Sequence, residues 1–120
     1  YQMVQADFFA LKGDRLPMAI DCKVEQERME LRLTGEIDHH RAGALMRELE
    51  TQLDLESPRT VELDLGGVSF MDSSGIALLL RLYRSLAFTG GKLRVVRVPA
   101  QPGKVLKAAG LGRLFPIEYL

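Results

Sequence analysis

The strongest constraint on the fold is a short serine-containing turn that follows an apolar strand and opens an apolar helix. Within residues 60–65, Val61, Leu63 and Leu65 alternate with acidic residues, which predicts a strand with one buried face. A helix is predicted from about residue 74 to residue 87, and Met71-Asp72-Ser73-Ser74-Gly75 precedes it directly. Strands that alternate with helices indicate right-handed crossovers and parallel neighbours, so an α/β fold is expected.

Two interpretations of the adjacent hydroxyls are open at this point. Ser73 and Ser74 fall at N-cap or first-turn positions, where a serine oxygen can accept a hydrogen bond from a free backbone N–H. Alternatively, one of them accepts phosphate, which brings about −1.5 to −2 charges beside the carboxylate of Asp72. The helix dipole stabilises that charge, whereas an acidic or apolar docking partner is repelled by it. Position alone favours the cap.

Composition predicts one soluble globular domain. The chain has 120 residues, 16 Lys and Arg against 16 Asp and Glu, and 47% hydrophobic residues. Its basic residues form no stripe with interleaved aromatics, so nucleic acid is not expected as the main partner. The single Cys22 cannot form an internal disulfide and is expected to be buried in a strand. No apolar stretch is long enough for a membrane span or a secretory signal, so the cytoplasm is the expected compartment.

The first 17 residues differ in pattern from the rest. The chain begins with Tyr1 rather than methionine, and residues 1–17 are predicted to be an N-terminal extension or a segment that comes from expression. Within it, residues 8–11 suit a short helix or strand, and residues 12–17 suit a loop because they contain Gly and Pro. The main domain is expected over residues 18–120, with Met18 as a candidate natural start.

The remaining elements follow from hydrophobic periodicity. The predicted order is β-β-α-β-α-β-α-β, in a mixed four- to five-stranded sheet with helices mainly on one face. The predicted elements are a hairpin of two strands around residues 20–33, a helix after Asp38, the strand of residues 60–65, the helix of residues 74–87, a strand at residues 92–98, a helix at residues 103–109 and a last strand at residues 116–120. Asp38 is a candidate N-cap of the first helix. Leu78 and Leu82 lie off the main stripe of the second helix and are expected to be buried.

Four segments together resemble the STAS domain, and more narrowly the anti-sigma factor antagonists of bacterial sporulation and stress control. They are Leu33–His40, Leu63–Gly75, the glycine pair 90–91 and Ala109-Gly110-Leu111. The likeness covers about residues 18–120, and the spacing of elements is kept throughout. Met71-Asp72-Ser73-Ser74-Gly75 is the motif that carries most of the likeness. One departure is the Ile76-Ala-Leu-Leu-Leu run after this motif, where relatives often have a further glycine.

The resemblance implies a phosphorylation switch without catalysis by this chain. In that family, the serine directly after the motif aspartate is phosphorylated by a partner that is both a serine kinase and an anti-sigma factor, and the matching residue is Ser73. The unphosphorylated protein binds the partner and frees the sigma factor, and a serine phosphatase resets it. The implied partner-binding residues are Asp38, Asp72, Ser73, Ser74 and Gly75. No cofactor or metal is implied, and Asp72 is expected to orient the turn rather than act as a base.

Other functions find less support in the residues. An enzyme with a nucleophilic serine is disfavoured because there is no Gly-x-Ser-x-Gly elbow and no P-loop, and neither histidine is an evident base. His39 and His40 make a weak metal site, since adjacent side chains at a helix start are expected to point apart and no third ligand is evident. The alternative within the family is a STAS scaffold or a transport-associated STAS subunit without sigma-factor control.

Overall fold

A computed structural model of the chain describes residues 2–7 and 19–120, and within them the predicted α/β order is confirmed. The elements are β1 (Gln2–Asp7), β2 (Ala19–Glu25), β3 (Arg28–Ile37), α1 (His39–Glu56), β4 (Thr60–Met71), α2 (Ser73–Phe88), β5 (Lys92–Val98), α3 (Ala100–Ala109), a 3-10 turn (Leu111–Arg113) and β6 (Ile117–Tyr119). The five predicted strands are β2 to β6. In the described part of the chain, residues 2–7 add a sixth strand at one edge.

The six described strands form a single mixed sheet in the order β1-β2-β3-β4-β5-β6. The first three strands pair antiparallel, and β3 to β6 pair parallel. The predicted hairpin turns at Gln26 and Glu27, where Gln26 takes a left-handed φ of 57°. The predictions made for residues 8–17 and for Met18 lie outside the described residues. Because β3 and β4 are parallel, their carboxyl ends lie side by side. The starts of α1 and α2 follow these strands directly and therefore lie on the same side of the domain.

The helices cover the apolar face of the sheet, as the alternating pattern predicts. Met29, Leu31 and Leu33 of β3 are buried, and they join one hydrophobic cluster with the buried side chains of the three described helices. Leu78 and Leu82 belong to that cluster, so their predicted burial is confirmed. Burying each such side chain stabilises the fold by about 1.5–3 kcal/mol.

The opposite face of the sheet is open and charged. Arg28 donates to Glu62 at 3.0 Å, and both Arg32 and Arg97 pair with Asp64 at 3.5 and 3.2 Å. Each arginine is at least half exposed, so each pair contributes at most about 1 kcal/mol. The balanced charges keep this face hydrated and leave the helical side of the domain to apolar contacts.

Three elements extend beyond their predicted bounds. Strand β3, predicted to end near residue 33, continues to Ile37. Strand β4 continues past residue 65 to Met71 because two register shifts against β3 absorb extra residues. Gly67 permits this, since a Cβ there would lie 2.9 Å from Thr34 Oγ1. Helix α3 begins at Ala100 rather than near residue 103, because Pro102 falls in its first turn, where a missing N–H costs nothing. Because β4 extends to Met71, the serine turn lies next to the carboxyl end of β3.

Candidate functional site

At the start of α2, Ser73 is exposed to solvent and Asp72 is the N-cap. The backbone N–H of Ser74 donates to Asp72 Oδ1 at 2.8 Å, and Asp72 has extended backbone. Ser73 and Ser74 are therefore the first two helical residues, so the predicted first-turn position is confirmed and the alternative of a serine as the N-cap is wrong. An aspartate caps a helix as well as a serine does. Its negative charge also interacts favourably with the positive N-terminal end of the helix dipole. The hydroxyl of Ser73 is exposed and has no hydrogen-bond partner among the described residues.

The residue before this turn is fixed from two sides. Met71 is 1% exposed, and its side chain lies under Gly75 so closely that a Cβ on Gly75 would be 2.6 Å from Met71 Sδ. Its backbone N–H donates to Gln101 Oε1, and Gln101 Nε2 donates to its carbonyl, both at 2.8 Å. Gln101 lies 30 residues away in the chain, on α3, and no local sequence pattern could have identified it.

Asp38 occupies the matching position at the start of α1. Its Oδ1 accepts from the backbone N–H groups of His40 and Arg41 at 3.1 and 3.0 Å, so the predicted N-cap is confirmed. Its Oδ2 pairs with the guanidinium of Arg41 at 2.5 Å. The Asp72 N–H donates to the Ile37 carbonyl at 3.2 Å and ties the two turns together. The carboxylate of Asp38 is thus engaged within its own helix, and its contact with a partner stays a prediction.

Asp38 stabilises the fold in two ways, as the N-cap of α1 and as the ion-pair partner of Arg41, and two substitutions separate these contributions. We expect Asp38→Ala to lower the free energy of unfolding by about 2 kcal/mol, because the cap and the charge-assisted bond are both lost. Asp38→Asn keeps a capping oxygen and is expected to cost less than half of that. Urea denaturation measures both. Wild-type stability in the alanine variant would contradict the geometry described for this cap.

A shallow groove runs between α1 and α2 beside the serine turn. It has a volume of about 260 Å³ and is lined by Ala42, Gly43, Met46, Ser74, Ala77, Leu78 and Arg81. Small residues on both helices keep the groove open, while Met46 and Leu78 make it apolar. The Arg81 guanidinium forms two hydrogen bonds with Glu50, at 2.9 and 3.1 Å, which hold the two helices together at its far side. The groove could not be predicted from the sequence, because small residues on two separate helices give no indication that the helices pack side by side.

The two histidines lie together rather than apart. The ring centroids of His39 and His40 are 4.0 Å apart, so the expectation that they diverge is wrong. No turn of helix precedes His39, and its ring can therefore lean onto its neighbour. Among the described residues, no three His, Cys, Asp or Glu side chains are grouped so that they could hold a metal ion.

Cys22 is buried in β2, as predicted, and is 1% exposed. Burial, with a smaller contribution from the negative charge of Glu56, raises the pKa of its thiol to about 11. The thiol therefore stays protonated at neutral pH and is a poor nucleophile.

The comparisons agree with this geometry. The family model described as the STAS domain matches residues 19–119. The chain belongs to the STAS domain family. An anti-sigma F factor antagonist of Lysinibacillus sphaericus is 33% identical to this STAS domain over 89 residues, which cover 74% of this chain and 76% of that protein. None of the helices in the described residues has the length and hydrophobicity that a membrane span requires.

Solved structures of STAS proteins show the same fold. The anti-sigma factor antagonist SpoIIAA in its unphosphorylated form is 26% identical, with a TM-score of 0.70 and coverage of 82% of this chain and 86% of that chain. The Bacillus cell fate determinant SpoIIAA in its phosphorylated form is 28% identical, with a TM-score of 0.64 and coverage of 82% and 89%. The resemblance predicted from the sequence is confirmed.

Proposed function

We propose that this STAS protein is an anti-sigma factor antagonist that is switched by phosphorylation of Ser73. In the unphosphorylated state it binds an anti-sigma factor with serine kinase activity and thereby frees the sigma factor. Phosphate on Ser73 ends that binding, and a serine phosphatase restores it. The proposed site of action is the cytoplasm. The kinase supplies the chemistry, so this chain has no catalytic role in the proposal.

The single observation that carries the proposal is the free hydroxyl of Ser73 at the start of a 16-residue helix. Asp72 already caps α2, so the hydroxyl is not needed for stability and is presented to solvent. Ser74, by contrast, is half-buried and lines the groove between the helices. The similarity to a protein that has been solved in both unphosphorylated and phosphorylated forms supports Ser73 as the acceptor.

The proposed switch acts on the partner rather than on the fold. A phosphate at a helix N-terminus faces the positive end of the dipole, so the folded domain tolerates it. A partner packed against Ser73 and the groove must instead desolvate about −1.5 to −2 charges next to the carboxylate of Asp72. A penalty of about 3 kcal/mol weakens binding by a factor of about 150.

The groove between α1 and α2 is the proposed anchor point for an apolar side chain of the partner. Filling it with Ala77→Trp is expected to weaken binding of the anti-sigma factor at least about tenfold, because the indole occupies the space that the partner needs. Ala87→Trp is the matched control, since Ala87 is exposed at the other end of α2 and outside the groove. Calorimetric titration measures both. Equal affinities in the two variants would count against the groove.

Phosphate mapping tests the proposal itself. The protein is incubated with ATP and the anti-sigma kinase from the same genome, and its intact mass and peptides are then analysed. We expect a single phosphate that is lost in Ser73→Ala and kept in Ser74→Ala. Absence of phosphate with an active cognate kinase would reject the switch and favour a scaffold or transport-associated STAS domain.

A further inference from the structure

The side chain of Gln101 replaces a missing sheet partner next to the serine turn. Pairing of β4 with β5 ends at Asp64 and Val96, although β4 continues to Met71. On its other edge, β4 stays paired with β3 up to Ile37 and Met71. On the side of β4 where β5 no longer pairs, Gln101 Oε1 accepts from the Met71 N–H and Gln101 Nε2 donates to the Met71 carbonyl, both at 2.8 Å.

These two hydrogen bonds satisfy backbone groups of a residue that is 1% exposed. Without Gln101, the N–H and the carbonyl of Met71 would both have to find another partner or move towards water. Met71 directly precedes the cap Asp72, and its side chain already lies under Gly75. A shift of its backbone therefore changes the start of α2 as a whole.

We propose that Gln101 is a positioning residue for Ser73: by clamping the backbone of Met71 to α3, it holds the start of α2 in the orientation that the kinase recognises. The inference rests on the proposed phosphorylation of Ser73. It assigns a role in the switch to α3, which lies outside the motif and contributes nothing to the groove between α1 and α2.

Three variants test the clamp. Gln101→Met keeps the length of the side chain and removes both hydrogen bonds. Gln101→Glu keeps an acceptor for the Met71 N–H but puts a second carboxylate oxygen where Nε2 donates to the Met71 carbonyl, so the clamp is expected to weaken in this variant too. Gln52→Met is the control for loss of a glutamine hydrogen bond elsewhere in the fold: Gln101 is exposed, whereas Gln52 is a buried residue of α1 whose side-chain amide donates to Glu48 at 3.0 Å, away from the serine turn.

Two readouts are combined on the full chain. Amide exchange followed by nuclear magnetic resonance is expected to accelerate at Met71 and Ser74 by about tenfold in Gln101→Met, relative to the amides of the β2–β3 hairpin. The kcat for phosphorylation by the cognate kinase is expected to fall about fivefold or more with KM little changed, because the groove is intact while the hydroxyl is no longer held in place.

The outcomes separate this inference from the proposed function. Unchanged exchange at Met71 and Ser74 in Gln101→Met would refute the clamp whether or not any kinase acts on the protein. An equal loss of kcat in Gln52→Met would also refute it, since the effect would then be general destabilisation. A wild-type protein that takes no phosphate from an active kinase rejects the proposed function and, with it, the role of Gln101 in phosphorylation.

Discussion

Phosphorylation of Ser73 is expected to lower the affinity for the anti-sigma factor by about 100-fold, and Ser73→Asp to lower it by at least about tenfold. Ser73→Ala is expected to bind as tightly as the unphosphorylated protein and to stay bound in the presence of ATP. The physical reason is the location of the charge: the exposed hydroxyl adjoins the carboxylate of Asp72 and an apolar groove, so the added charge is desolvated only when the partner docks. Calorimetric titration of the purified proteins measures these affinities.

Ser85→Asp is the control for the effect of charge alone. Ser85 lies on the same helix as Ser73 but near its C-terminal end, away from the groove. The same substitution at Ser85 should change the affinity by less than about threefold, because salt screens a charge that lies outside the proposed binding surface. Equal affinities of Ser73→Ala and Ser73→Asp would contradict the switch.

Gly75→Ala is expected to lower the free energy of unfolding by about 2 kcal/mol, although alanine is the better helix former. The added methyl group would lie 2.6 Å from Met71 Sδ, and Met71 is 1% exposed, so its side chain has little room to move away. Clamping of the Met71 backbone by Gln101 further restricts the adjustment. Urea denaturation followed by circular dichroism gives the change in stability.

Gly43→Ala provides the opposite expectation. Gly43 is an exposed helical glycine in α1, where the nearest atom to an added Cβ is Arg47 Nη1 at 3.6 Å. Alanine there should raise the stability by about 0.5–1 kcal/mol through helix propensity alone. Should both alanine variants be stabilised, the close packing of Gly75 on Met71 would be wrong.

Features that depend on local pattern were predictable from the sequence. The hairpin of β2 and β3, the cap at Asp38 and the strand Lys92–Val98 follow from period-two alternation and from capping chemistry. The turn at residues 71–75 was also located correctly, because a strand and a helix flank it. These elements are determined by near neighbours in the chain, which is why one sequence suffices.

Features that depend on distant residues were not predictable. Asp72, Ser73 and Ser74 are all good capping residues, so the sequence does not show which of them is the N-cap. The backbone geometry shows that it is Asp72. The length of β4 depends on register shifts against β3, and the support of Met71 depends on Gln101 from α3. The groove arises only when α1 and α2 pack together. Such contacts between elements carry no periodic signal in the chain.

Release of the sigma factor shows directly whether phosphate on Ser73 switches this protein off. A labelled sigma factor is bound to the anti-sigma factor, and its release is followed by fluorescence anisotropy as this protein is added, either unphosphorylated or phosphorylated on Ser73. We expect release by the unphosphorylated protein and by Ser73→Ala, and essentially none by the phosphorylated protein. Equal release by the phosphorylated and unphosphorylated forms would contradict the proposed phosphorylation switch.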